Sequence, residues 1–327
     1  MSPLLLAPFE LVYASLVRSR NVRFDRTAPQ RLRWPVVSVG NLSVGGAGKT
    51  PLVICLARLL ERNGFHPDVL SRGYGRSGEE VVRVDRTGDA GQFGDEPLLI
   101  AQATGVPVYV GASRYQAGLL AEREAAKDAR VVHLLDDGFQ HRQLARTVDI
   151  VVVHRSDLRD RLLPAGRLRE PLSSLARADV IVLRREDAEL EAALRVHVKR
   201  ATKECVFWRV RRTLALNGSI QRALVFCAIA RPEEFFSAVA AAGAGILERM
   251  RFRDHHRYTE ADIERVARLG QRLGCDAFVI TAKDDVKLNA GMRQRLSTVA
   301  PLHTAVLTAE IEDEDTVLGE LSSRLRI

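Results

Sequence analysis

The sequence predicts an α/β protein with a mostly parallel sheet flanked by helices, because apolar strand-like runs alternate with amphipathic stretches over its first two-thirds. The strand-like runs cover residues 35–39, 68–71, 106–110, 131–135, 150–153 and 180–183. The helical stretches between them include residues 52–63, 96–103 and 115–127. In such a sheet ligands bind at the carboxyl ends of the strands.

A glycine-rich segment between the first strand and the first amphipathic stretch carries the second observation. Residues 43–50, here called the phosphate loop, read Ser-Val-Gly-Gly-Ala-Gly-Lys-Thr. Glycines let backbone N–H groups turn toward a phosphate, and the following helix adds the positive end of its dipole. The usual pattern starts with glycine where Ser43 stands, but Gly45 and Gly46 supply flexibility. This order predicts a P-loop NTPase-type fold. The predicted nucleotide-binding residues are Gly45, Gly46, Ala47, Gly48, Lys49, Thr50 and Pro51.

Two acidic segments are candidates for chemistry. Asp136 and Asp137 end the run 131–135, where a phosphate loop needs a carboxylate for Mg²⁺; capping of a following helix is the alternative. Asp95 opens a helix and precedes Pro97, so it reads equally as an N-cap or as a general base.

Three polar loops complete the candidates. His255 follows Asp254 and could assist proton removal, or the segment could simply cap the helix that follows it. The loop 164–171 offers arginines that could clamp a phosphate and Glu170, which could reach Mg²⁺. The loop 72–76 offers Arg72 as a further anion contact, and both loops could equally be solvated basic surface.

The pattern changes after residue 205 and predicts a second, smaller α/β domain. Apolar and basic residues alternate over 206–212, and Asn217-Gly218 stands before the apolar run 223–228, which is a hairpin signal. We therefore predict a P-loop domain over 1–205, a hairpin-like linker over 206–222 and a C-terminal domain over 206–327. Its predicted helices cover 232–242 and 260–273, and its strands 277–281 and 304–307.

Composition limits the partners. The 327 residues carry a net charge of +8, which favours anionic partners, but the sequence contains no nucleic-acid-binding module and no nucleic-acid binding is expected.

No segment reaches the roughly 20 apolar residues that span a bilayer. Residues 4–17 are strongly apolar and precede Arg18, Arg20, Arg23 and Arg26. This helix could lie in the interface of an anionic membrane or pack on its own domain.

Together these motifs resemble the tetraacyldisaccharide 4′-kinase family, the lipid A 4′-kinases of Gram-negative bacteria. The matching segments appear in the family's order, from about the N-terminal helix to Lys287, and as a set they are highly specific. They cover residues 40–51, 71–75, 94–97, 136–141, 164–171 and 252–256. One departure is Ala282 in Thr281-Ala282-Lys283-Asp284, where the family carries an acid, so any role of that acid is absent.

The resemblance implies transfer of the γ-phosphate of ATP to the 4′-hydroxyl of lipid A disaccharide 1-phosphate, giving lipid IVA. It implies a peripheral protein on the cytoplasmic face of the bacterial inner membrane, which favours membrane contact by residues 4–17. No obligate protein partner is expected. By position, Lys49 would hold the β/γ-phosphates, Thr50 would bind Mg²⁺, and Asp95 would be the general base, paired with His255 when the two domains close.

Further positions follow from the same resemblance. Asp136, Asp137 and Glu170 would serve the metal and the developing charge, with Asp137 also a catalytic residue. The substrate contacts would be Arg72, Gln140, His141 and Arg169. The rival interpretation is a nucleotide switch, a GTPase or partitioning-type ATPase without lipid transfer. Residues 282–285 echo a guanine-specificity motif, although their first position is alanine.

Overall fold

The structure, a computed structural model, describes residues 6–126, 130–198 and 204–325. The strands within them are β1 (Val36–Asn41), β2 (His66–Ser71), β3 (Val82–Arg83), β4 (Val108–Val110), β5 (Val131–Asp136), β6 (Val148–Val152), β7 (Val180–Arg184), β8 (Val206–Ala215), β9 (Ala223–Cys227), β10 (Ile246–Arg251), β11 (Ala277–Thr281) and β12 (Leu302–Ile311). The helices are α1 (Ala7–Arg26), α2 (Lys49–Arg62), α3 (Ala90–Phe93), α4 (Asp95–Thr104), α5 (Arg114–Glu124), α6 (Glu191–Val198), α7 (Pro232–Ala241), α8 (Glu260–Leu273), α9 (Ala282–Asp285), α10 (Ala290–Ser297) and α11 (Glu314–Leu325). The start of the predicted apolar segment 4–17 and the end of the predicted helix 115–127 lie outside the described residues.

The strands of the described residues form one twelve-stranded sheet in the order β10-β9-β11-β12-β8-β7-β6-β1-β5-β2-β4-β3. Neighbouring strands are parallel except for β12 with β8 and β3 with β4. This arrangement confirms the predicted mostly parallel sheet flanked by helices. Within this sheet β1 and β5 lie side by side, with Val39 opposite Asp136. The phosphate loop and the Asp136-Asp137 pair therefore leave the sheet at the same edge.

The predicted hairpin at Asn217-Gly218 is wrong. Strand β8 pairs with β7 and β12, while β9 pairs with β10 and β11, so two strands separate them. A tight hairpin needs strands that run directly into a two-residue turn. Here residues 216–222 lie between the strands, and β8 instead finds a ten-residue antiparallel partner in β12.

The division of the chain near residue 205 stays a prediction, to which the packing adds one fact. Separate apolar clusters surround the β9–β11 region, which agrees with a second core. However, Ile311 and Leu321, from β12 and α11, are buried in the same cluster as the apolar face of α2. The end of the chain therefore returns to the core built by its first half.

Helix α1 is attached to the rest of the protein by polar contacts along one side. Glu10 accepts a hydrogen bond from the backbone N–H of Leu162 at 3.0 Å, and the Tyr13 hydroxyl donates to the carbonyl of Arg169 at 3.1 Å. Elsewhere on the helix four large apolar side chains are 60–74% exposed: Phe9, Leu11, Val12 and Leu16. None of the helices in the described residues has the length and apolar character to cross a bilayer.

Candidate active site

The phosphate loop links β1 to α2 and has the backbone that an anion cradle requires. Gly45 has φ 87° and Gly48, the N-cap of α2, has φ 92°, a region that favours glycine. All seven predicted nucleotide-binding residues line one cleft, whose volume is about 1520 Å³. A nucleotide pocket of ordinary size would fill only part of it, which leaves room for a second substrate.

Lys49 and Asp137 meet at the floor of this cleft. The Lys49 ammonium donates to Asn41 Oδ1 at 2.9 Å and lies 3.3 Å from Asp137 Oδ1. Arg169 donates two hydrogen bonds to the Asp137 carboxylate, at 2.9 and 2.8 Å, and also contacts Asn41. Burial opposes ionisation of Asp137, but Lys49 and Arg169 outweigh it and hold its pKa well below the usual range. Asp137, in the left-handed region at φ 52°, caps no helix.

Asp136 is the least satisfied carboxylate of the cleft. Its Oδ2 accepts a hydrogen bond from Ser71 Oγ at 3.1 Å, whereas its buried Oδ1 has no partner among the described residues. Burial and the neighbouring carboxylates of Glu96 and Asp137 raise its pKa to about 7, against the opposing effect of Lys49. A buried carboxylate oxygen without a hydrogen-bond partner is a suitable ligand for a cation.

Asp95 and His255 come from opposite halves of the chain and form a hydrogen-bonded pair. His255 Nδ1 lies 3.0 Å from Asp95 Oδ2, and Tyr74 packs on the imidazole with ring centroids 5.0 Å apart. Lys283 completes the group: its ammonium lies 3.0 Å from Glu96 Oε1, 3.4 Å from His255 Nε2 and 3.7 Å from Asp95 Oδ2.

Charges around this pair favour an ionised Asp95. Burial opposes ionisation, but the hydrogen bond from His255 and the charge of Lys283 lower the pKa of Asp95 to about 2. The same hydrogen bond raises the pKa of His255. Asp95 is the first residue of α4 and Gly94 its N-cap, so the N-cap interpretation of Asp95 is wrong. Its buried carboxylate faces the cleft-lining His255 instead.

The capping interpretation does hold for the residues just after His255. Thr259 is the N-cap of α8, and Asp262 closes a capping box with it. His256 Nε2 lies 2.9 Å from Asp262 Oδ2, which ties it to this cap. His255 and His256 therefore belong to different structures, the cleft and the helix end.

Glu170 is not among the residues that line the cleft, and its contact with Mg²⁺ stays a prediction. Its fully buried carboxylate accepts hydrogen bonds from Asn21 at 3.0 Å and Arg177 at 2.9 Å, and Arg20 lies 3.8 Å away. Burial opposes ionisation, yet Arg177 and these partners hold its pKa below the usual value. Oε2 accepts both hydrogen bonds, whereas the buried Oε1 faces Arg20 and has no hydrogen-bond partner among the described residues. Through these contacts Glu170 connects α1 to Arg177.

The predicted substrate contacts Arg72, Gln140, His141 and Arg169 all line the cleft. Gln140 donates to the carbonyl of Asn41 at 3.0 Å, which leaves its buried Oε1 without a partner among the described residues. Burial, followed by the charges of Arg114, Arg146 and Arg72, lowers the pKa of His141 to about 4. His141 is therefore neutral near pH 7 and can recognise a ligand by hydrogen bonds rather than by charge.

Several cleft residues have no counterpart among the predictions. They are Ser71, Glu96, Arg114, Lys283, Arg212 and Arg231, which line the cleft, and Asn41, which accepts a hydrogen bond from Lys49. The sequence held a signal for one of these residues, Arg212, because the apolar/basic alternation of β8 places it on the side of Trp208 and Val210.

Among the described residues no three His, Cys, Asp or Glu side chains could hold a metal by themselves. A phosphate-loop Mg²⁺ site needs only one or two carboxylates, since substrate oxygens complete it.

With this geometry established, the chain can be compared with known proteins. Residues 2–326 match the family described as tetraacyldisaccharide-1-P 4′-kinase. The chain belongs to this family. A tetraacyldisaccharide 4′-kinase of Koribacter versatilis is 42% identical over 96% of this chain and 97% of its own length. Another, of Azoarcus sp., is 39% identical over 80% of this chain and 78% of its own.

A solved structure agrees with these sequence relatives. The crystal structure of LpxK from Aquifex aeolicus in complex with ATP is 30% identical, covers 99% of both chains and has a TM-score of 0.75. Membership of the family confirms the resemblance, the P-loop-type fold and the prediction of a kinase. It does not favour the nucleotide-switch alternative.

Proposed function

We propose that the protein transfers the γ-phosphate of ATP to the 4′-hydroxyl of lipid A disaccharide 1-phosphate at a membrane surface. One observation carries this proposal beyond family membership. The cleft joins a phosphate loop, with Lys49 at its floor, to His255, which is hydrogen-bonded to the buried carboxylate of Asp95. A sugar hydroxyl is a weak nucleophile. Transfer of a phosphoryl group to it therefore needs both a loop that binds the donor phosphates and a group that accepts the hydroxyl proton.

The donor side would be formed by the phosphate loop. The backbone N–H groups of Gly45 to Thr50 and the Lys49 ammonium would bind the β- and γ-phosphates. The Thr50 hydroxyl and the partnerless Oδ1 of Asp136 would hold Mg²⁺, which supplies charge neutralisation on the phosphate oxygens when bound. Asp137, already bound by Lys49 and Arg169, would position the Lys49 ammonium rather than bind the metal.

The acceptor side would be formed by Asp95 and the loops around it. Asp95 would take the proton of the 4′-hydroxyl, and His255 would orient the carboxylate through the 3.0 Å hydrogen bond. Arg72, with Gln140 and the neutral His141, would contact the sugar and phosphate groups of the acceptor. Because His255 and Lys283 come from the second half of the chain, the site is complete only while both halves meet at the cleft.

We further propose that the protein associates with the cytoplasmic face of the inner membrane; the exposed apolar side chains of α1 support the membrane contact itself. Such a face beside several arginines suits the interface of an anionic bilayer. Docking at the surface would bring the cleft to a substrate that is itself embedded in lipid.

The experiment is transfer of ³²P from γ-labelled ATP to lipid A disaccharide 1-phosphate in detergent micelles. Wild type should label the lipid. Asp95→Ala should lower the rate by about 10²–10⁴-fold while it still binds ATP, whereas Lys49→Ala should lose both labelling and ATP affinity. Asp315→Ala, at an exposed position of α11, is the matched control and should behave as wild type. ATP binding by wild type without any labelled lipid would overturn the proposal.

A further inference from the structure

Strand β8 places an arginine where its pattern calls for a core residue. Trp208 and Val210 on the same side of the strand are buried in the main apolar cluster, and Arg212 follows them at the next inward position. Arg209 points to the other side, is exposed, and pairs with Glu191 at 3.4 Å. Burial of a guanidinium costs free energy because the charge loses its hydration, so the groups around Arg212 should show what offsets this cost.

The Arg212 guanidinium lies against the first turn of α2. A Cβ at position 48 would lie 3.4 Å from the Arg212 Cζ and Nη1 atoms, which places the guanidinium in contact with the phosphate loop. The Nε and Nη1 atoms are shielded from solvent and have no hydrogen-bond partner among the described residues. Most buried donors in folded proteins have a partner, so two free donors on one guanidinium beside the phosphate loop fit an anionic ligand.

The neighbouring charges do not neutralise Arg212. Arg184 and Arg231 both bind the Glu234 carboxylate, at 2.7 and 2.9 Å, and His154 Nε2 lies 3.2 Å from it. Arg212 forms no ion pair with any carboxylate of the described residues. Burial, then repulsion by Arg184, lowers the pKa of Arg212 to about 10, which still leaves it charged at neutral pH. An excess of positive charge thus lies beside the phosphate loop.

We propose that Arg212 binds the phosphate chain of the nucleotide through its free Nε and Nη1 donors. The inference rests on the nucleotide binding given above and extends it, because the phosphates would then be held by groups from both halves of the chain. A guanidinium suits this task, since its fixed fork of donors can bind two phosphate oxygens at once. Nucleotide binding would therefore also draw β8 and the phosphate loop together.

The test compares ATP with adenosine, which shares the base and ribose but lacks phosphates. We expect Arg212→Gln to weaken ATP binding by about tenfold or more, in calorimetric titrations with Mg²⁺, and to leave adenosine affinity unchanged in competition experiments. Arg212→Lys should lose less ATP affinity, because it keeps the charge. Arg209→Gln, on the exposed side of the same strand, is the matched control and should bind both ligands as wild type does.

Stability separates this role from a structural one. Because Arg212 is unpaired, Arg212→Gln should unfold without nucleotide at a temperature no lower than wild type, and ATP should raise its unfolding temperature less. Should Arg212→Gln fail to fold, Arg212→Met serves for the same titrations. Unchanged ATP affinity, or equal losses for ATP and adenosine, would overturn the inference. A wild type that binds ATP without labelling lipid would refute the proposed kinase activity and leave this comparison valid.

Discussion

At the scale of single residues, Lys283 has the most direct influence on the Asp95–His255 pair. Its charge lowers the pKa of both Asp95 and His255. Asp95 must be ionised to accept a proton, so activity should be lost as the pH falls through its pKa. In the native site that pKa lies near 2, and the acidic limb of the kcat/KM profile should therefore fall below the pH range in which activity is measured.

Removal of the Lys283 charge should shift this acidic limb to higher pH. In Lys283→Met the desolvated carboxylate loses one of its stabilising charges, so its pKa rises and kcat/KM should fall at a pH about one unit or more higher. The measurement is the pH dependence of kcat/KM for lipid phosphorylation. Lys283→Arg keeps the charge and serves as the control. If Lys283→Met lost activity equally at every pH, Lys283 would act by shape or substrate contact and not through Asp95.

The sequence predicted the parts of the site whose geometry is local. Lys49 and Thr50 were predictable because strand, glycine-rich loop and helix follow one another directly. Asp136 was predictable because it ends an apolar strand. Contacts across the sheet were not: Lys283 reaches Glu96, 187 positions earlier, only because α9 packs beside α4. The contact of Glu170 with Asn21 was not predictable for the same reason, since the two residues are 149 positions apart.

At the scale of elements, the strands and helices that were predicted in the sequence lie within a few residues of their observed positions, since their apolar periodicity matches the burial. Helix α8, for example, was predicted over 260–273 and is observed as Glu260–Leu273. The order of the strands was another matter. The hairpin prediction failed because the Asn-Gly pair describes only a local turn, whereas the partner of β8 comes from residues 302–311.

Helix α1 allows a prediction about the membrane. Leu11 and Leu16 are 74% and 65% exposed, so replacement of both by Gln should change the free energy of unfolding by less than about 1 kcal/mol. If these side chains enter the bilayer, the double variant should bind vesicles about tenfold or more weakly. The measurement is flotation with vesicles that contain anionic lipid.

A control of matched exposure is available on another element. Val196 on α6 is 63% exposed, and Val196→Gln should leave vesicle binding unchanged. If the Leu11→Gln/Leu16→Gln variant bound vesicles as tightly as wild type, the exposed face of α1 would not be a membrane-binding surface. A large loss of stability would instead mean that the two leucines pack against protein.

At the scale of the whole molecule, the two halves of the chain meet on both sides of the cleft. On one side lie the His255–Asp95 and Lys283–Glu96 contacts. On the other, Arg167 donates to the carbonyl of Ala230 at 3.2 Å, and Gly46 faces the Arg231 side chain. The phosphate loop is therefore also a surface on which the second half rests, which ties nucleotide binding to the completeness of the acceptor site.

Gly45 offers a way to test this coupling. It has φ 87°, and a Cβ there would lie 2.6 Å from the Cβ of Ala230. Gly64 has φ 76° with open space around it, so Gly64→Ala carries backbone strain of about 1–2 kcal/mol without a clash. We expect Gly45→Ala to cost similar stability but to lower kcat/KM for lipid phosphorylation by about tenfold or more, because the clash pushes the second half away from the phosphate loop.

The clash between the new side chain at position 45 and Ala230 can be removed by a second substitution, at position 230. Ala230→Gly removes the methyl group that the new side chain would strike, so the double variant Gly45→Ala/Ala230→Gly should recover most of the activity that Gly45→Ala loses. Backbone strain at position 45 is the same in both variants, and any recovery must therefore come from the restored approach of the two halves. Thermal unfolding of each variant, measured beside kcat/KM, separates this effect from a loss of folded protein. If Ala230→Gly recovered nothing, the defect would lie in the backbone of the phosphate loop, and approach of the halves would not limit the reaction.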